Sequence, residues 1–146
     1  MRPDFTMSPE LKAIFPFNQY IAEQQNSWSN AGRIEHLERQ LSKCPKLGGT
    51  DGMREHPAIF HYFFGRTDIF ICEYSPEKGQ MFGFAILNGN LENSEFGYIA
   101  PSDFLIMPMI NIDYHFKEQS IEAARYKMYP HFYKKPLSVE ENYFID

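Results

Sequence analysis

The chain of 146 residues is long enough for one domain that buries roughly 70% of its unfolded surface. At 43% hydrophobic and 23% charged it has the composition of a folded soluble protein, not of a disordered one. Its net charge of −5 sits in residues 53–116, where Arg54, Arg66 and Lys78 face Glu55, Asp68, Glu73, Glu77, Glu92, Glu95, Asp103 and Asp113, a balance that disfavours direct nucleic-acid binding.

Ser8-Pro9-Glu10 opens a first helix: Ser8 caps it, proline is tolerated in the first turn, and the carboxylate suits the positive dipole end. Leu11, Ile14 and Phe15 form its apolar stripe. Pro16 disfavours helical backbone at Phe15, so a break is expected before residues 17–25. A second helix spans about 30–43, with Ile34, Leu37 and Leu41 on one face and Glu35 four residues before Arg39. Cys44-Pro45 ends it. Residues 46–52 (KLGGTDG) form a loop, since three glycines in five residues permit close turns.

Four aromatic and β-branched runs follow at 58–64, 69–74, 81–87 and 95–100. Short linkers separate them, among them Asn88-Gly89, a strong turn signal, and short linkers join antiparallel neighbours. A four-stranded meander results, with the first run also compatible with a short helix after Pro57. With Phe82, Phe84 and Ile86 on one side of the third strand, and Met81, Ala85 and Leu87 on the other, helices are expected to cover one face and part of the other. Residues 101–107 suit a helical turn ended by Pro108, and 111–116 suit a fifth strand or an extended segment. Residues 117–128 are helix-like and lead into an aromatic tail. The expected architecture is one α+β domain: a helical part at 8–44, a sheet core at 57–116, and a C-terminal helix and tail at 117–146.

Motifs for chemistry are sparse. Glu73 and Glu95, each followed by an aromatic, are candidate catalytic carboxylates one strand apart, with His115 as a third group. Carboxylates also solvate strand ends, and that is the commoner outcome. Asp113 and His115, at i and i+2, would share one face of a strand and could join His61 around a metal; zinc, however, needs three or four converging donors and no such array is present. No metal or cofactor is therefore assigned. Cys72 reads as a small core residue, and with Cys44 it suits a reducing cytosol more than a disulfide scaffold. The 48–52 loop lacks the lysine and hydroxyl of a phosphate-binding loop. The N-terminus has no apolar core of a secretory signal, and no apolar run approaches the ~20 residues that cross a bilayer.

Residues 45–116 resemble an uncharacterised family of small proteins from plasmids, conjugative elements and phages. The resemblance rests on Lys46-Leu47 with Thr50-Asp51-Gly52, Glu73-Tyr74, Phe82-Gly83, Glu95 with Gly97-Tyr98, and Asp113 near His115-Phe116. It implies a mobile-element setting and no established activity. With 16% aromatic residues and the acid concentrated in the sheet, the expected role is protein–protein binding by an accessory or inhibitor protein. Tyr74, Glu95, Tyr98 and Asp113 are the candidate binding residues, and a host defence or nucleic-acid-processing protein is one candidate partner. The alternative is a small hydrolase or nuclease-like enzyme using Glu73, Glu95 and His115. Convergence of those three groups in a pocket would favour the enzyme; scatter would favour the binder.

Overall fold

The computed structural model describes residues 7–25 and 27–139. The N-terminal residues read for a secretory signal, and the end of the tail with Glu140 and Glu141, lie outside them. Ser8 caps α1 (Pro9–Lys12) by accepting the amide of Leu11, and Pro16 separates α1 from α2 (Phe17–Gln25). Helix α3 (Ser27–Lys43) follows. Strands β1 (Pro57–Ala58), β2 (Phe60–Phe64), β3 (Thr67–Ser75), β4 (Gln80–Ile86) and β5 (Glu95–Ile99) come next. After α4 (Pro101–Leu105) lie β6 (Asn111–Ile112), β7 (Gln119–Ser120) and α5 (Ile121–Met128), which Ser120 caps through the Ala123 amide.

The fold is α+β. The main sheet has the order β5-β4-β3-β2-β6 and is antiparallel throughout, so the expected meander is present, with β6 added beside β2. Three boundaries differ from expectation. The 58–64 run is split: Pro57–Ala58 pairs with β7 in a separate two-stranded sheet, and only Phe60–Phe64 joins the meander. The fifth strand stops at Ile112, because Asp113 turns back to accept the His115 amide. The C-terminal helix begins at Ile121 instead of 117, since Gln119–Ser120 extends to meet β1. The Asn88-Gly89 turn forms with both residues at positive φ and the Asn90 amide donating to the Leu87 carbonyl. It does not close the hairpin directly, however, and the chain runs on to 94 before β5 begins.

Helical and loop segments cover both sheet faces. On one, Leu11, Ile14, Phe15, Ile34, Leu37 and Phe104 pack over Tyr62, Ile69, Ile71 and Met81. On the other, Ile121, Ala124 and Tyr133 pack over Phe70, Cys72, Phe84 and Ile86. The first cluster is tied down by the buried Tyr62 hydroxyl, which donates to the Ile14 carbonyl at 2.6 Å. Among the described residues no helix is long and apolar enough to cross a membrane.

Between Ile71 and Glu73 the pairing of β3 with β4 shifts register. Ile71 stands opposite Gly83, Glu73 opposite Phe82, and Cys72 is the extra residue of a β-bulge. The close approach is visible at Gly83, where an added Cβ would lie 2.0 Å from the Phe70 carbonyl oxygen. The bulge decides which face Glu73 uses.

Candidate functional site

Glu73 is 1% exposed. Its carboxylate accepts the Gly48 amide at 2.7 Å and the Thr50 amide at 2.9 Å, and the Thr50 hydroxyl donates to it as well. The glycine-rich loop folds around this one side chain, which accepts three of its donors. Beside it, the Cys72 thiol donates to the Phe82 carbonyl, and burial pushes it up to about 12. Burial first, then the neighbouring Cys72 and Glu73, raises the Cys44 thiol likewise to about 12. Both remain thiols at neutral pH, which removes them as nucleophiles.

The carboxylates proposed from sequence do not converge. Glu73 stands across from Phe82 and Glu95 across from Ala85. Phe82 and Ala85 are three apart along β4, and side chains alternate along a strand, so the two glutamates leave opposite faces of the sheet. His115 follows β6, at the far edge of the sheet from β5, with β4, β3 and β2 between. It is exposed, and lies outside any strand. Asp113 and His115 therefore do not share a strand face, and the geometry expected of a carboxylate–histidine site is absent for Glu73, Glu95 and His115.

His61 and Asp113 do meet. The His61 ring stacks on Phe70, with centroids 4.7 Å apart and planes 10° from parallel. Its Nε2 lies 2.7 Å from Asp68 and its Nδ1 3.4 Å from Asp113. Only the ring carrying both protons can donate to the two carboxylates at once. Among the described residues, no three His, Cys, Asp or Glu side chains are grouped as metal ligands.

A second belt joins the tail to the start of the sheet. The Glu122 carboxylate accepts the His56 amide and faces His56 Nδ1, each at 2.8 Å. Glu55 accepts the Ser120 hydroxyl, the Ser138 hydroxyl and the Ser138 amide. Desolvation raises the Glu55 pKa, but these hydrogen bonds and the nearby Arg54 charge outweigh it, so the carboxyl sits below its ordinary value. A depressed folded pKa contributes stability above the unfolded value, and that contribution is lost as pH falls through the folded one. Residues 136–139 should consequently detach on acidification from neutral to about pH 3, while Glu55→Gln should flatten this dependence. Amide exchange of the tail at the two pH values checks it; identical pH response in wild type and Glu55→Gln would refute it.

The remaining sequence candidates separate into buried and exposed. Tyr74 is buried against Met81, its amide donating to the Pro45 carbonyl, and desolvation first, then Glu10 and Cys44, raises its phenol. Tyr98 is 63% exposed on β5, and Glu95 is exposed on the same strand. Strand β5 ends the sheet, and among the described residues no strand pairs with its outer side. Of the eight acidic residues in 53–116, Glu55, Asp68, Glu73 and Asp113 have partners within the fold, whereas Glu77, Glu92, Glu95 and Asp103 are exposed. Half of the acidity that looked like surface in the sequence is therefore engaged within the fold, and Asp68 and Glu73 are buried.

Cations far apart in the chain also converge. Arg54, Arg125, Lys134 and Lys135 line one cleft, brought together from positions 80 residues apart by the β1–β7 pairing and α5. No local spacing could have shown this. Comparison of the chain with protein-family models, with curated proteins and with solved structures finds no match.

Proposed function

We propose that the protein is a small cytosolic accessory or inhibitor protein of a mobile genetic element, acting by binding another protein along the β5 edge. The observation that carries this reading is the outer side of β5, unpaired among the described residues and flanked by exposed Tyr98 on one sheet face and exposed Glu95 on the other. An edge strand presents a row of backbone donors and acceptors to which an extended segment of a partner can add. Exposed Glu92 and Glu95 favour a basic segment, and Tyr98 supplies the large aromatic contact common at interface centres. The mobile-element setting rests on the resemblance of residues 45–116. A host nucleic-acid-processing protein, whose groove carries positive charge, is the partner class that fits the acid.

The test is affinity capture from host lysate with three baits. Wild type and a Glu77→Lys control on the β3–β4 turn should retain the same partner, and a Glu95→Lys/Tyr98→Ala variant of unchanged melting temperature should lose it. In the purified complex, the amides of Glu95–Ile99 should gain exchange protection. Undiminished capture by the β5 variant would displace this reading.

A further inference from the structure

We propose that the cleft between α5 and the C-terminal tail binds a small phosphorylated molecule. The cleft encloses about 630 Å³ and is lined by Arg54, Arg125, Lys134 and Lys135 together with Glu55, Glu122, Pro136 and Leu137. This volume lies in the range of small-ligand sites. In a chain with an overall excess of acid, Arg54, Arg125 and Lys134 thus gather beside two carboxylates in one concavity among the described residues.

Both carboxylates are already committed. Glu122 holds the His56 backbone and ring, and Glu55 holds Ser120 and Ser138. Glu122 lies three residues before Arg125 on α5, the spacing of a helical ion pair, yet no carboxylate among the described residues lies in ion-pair range of Arg125. The Arg125 guanidinium instead packs among rings, with its carbon 4.8 Å from the Phe84 centroid, 5.0 Å from Tyr133 and 5.9 Å from Phe96. Its Nε is buried with no hydrogen-bond partner among the described residues. A guanidinium drawn partly out of water without a counterion is costly, and an incoming anion relieves that cost.

The aromatic rings pack against the guanidinium, which suits the forked recognition of phosphate oxygens, and the Lys134 ammonium adds point charge. Pro136 and Leu137 supply an apolar wall for the rest of the ligand. A phosphorylated metabolite of nucleotide size matches this chemistry. The cleft adjoins β5 at the Phe96 ring, yet anion binding there does not require the proposed partner.

Isothermal titration of the full chain at about 150 mM salt tests the assignment, with pyrophosphate, AMP and citrate as probes. Pyrophosphate and AMP should bind with dissociation constants below about 1 mM, and citrate at least roughly tenfold more weakly. Arg54→Ala/Lys134→Ala, which alters residues at the mouth of the cleft, should melt as wild type does and weaken both phosphates by roughly tenfold or more. Arg125→Met, which keeps the packed stem, should do the same. Absence of binding by both phosphates, citrate binding as tightly as they do, undiminished binding by the Arg54/Lys134 variant, or binding of an oligonucleotide in place of the small phosphates would each overturn the proposal.

Discussion

Glu73→Ala should lower stability by about 3 kcal/mol, more than any other single carboxylate removal in the sheet. The substitution leaves the buried Thr50 amide and hydroxyl, and the more exposed Gly48 amide, without their acceptor. Each buried donor left unpaired costs on the order of 1–3 kcal/mol, offset in part by no longer burying a charge. For a chain of this size the melting temperature should fall by roughly 6–12 °C. Glu73→Gln keeps one acceptor oxygen and should fall between. The exposed Glu95→Ala, by contrast, should change stability by no more than about 0.5 kcal/mol. Urea unfolding of the three variants, with amide exchange at residues 46–52, separates these outcomes. If Glu73→Ala unfolds at the wild-type midpoint, the carboxylate does not organise the loop.

Gly83→Ala should be more damaging still. Its Cβ would stand 2.0 Å from the Phe70 carbonyl oxygen and 3.0 Å from the Ile71 α-carbon, both of them backbone on the neighbouring strand. No side chain can rotate away to make room. The strands would have to separate beside the bulge, at the centre of the sheet, breaking ladder hydrogen bonds on both sides. A cost above about 4 kcal/mol is expected, a large part of the stability of a small domain, so the variant should be insoluble or unfolded. Gly97→Ala is the matched control: nothing lies within 4 Å of its added Cβ, and its effect should stay within about 1 kcal/mol. Soluble expression and far-ultraviolet circular dichroism of the pair decide the matter. A Gly83→Ala protein as stable as Gly97→Ala would mean that the β3–β4 approach is looser than described.

Sequence by itself determined the local elements. The Ser8 cap, the break at Pro16, the strand runs at 69–74, 81–87 and 95–100 and the Asn88-Gly89 turn are set by interactions among residues a few positions apart and appear, whereas the 58–64 run is divided between two sheets. Apolar side chains on both faces of the third strand foretold cover on both sides, because exposing either face would leave large rings in water. The fate of the charged residues was decided only by tertiary structure. One extra residue at Cys72 turns Glu73 onto the face opposite Glu95, and period-two pattern carries no sign of where a bulge falls. Asp68 and Asp113 look like surface acid until the pairings β2–β3 and β2–β6 bring them to the two nitrogens of His61. Arg54 and Arg125 are unremarkable in sequence and share a cleft only because β7 pairs with β1. Propensity and periodicity act within one turn or one strand, whereas charge pairing is set by contacts between residues far apart in the chain, and those exist only once the layers have packed.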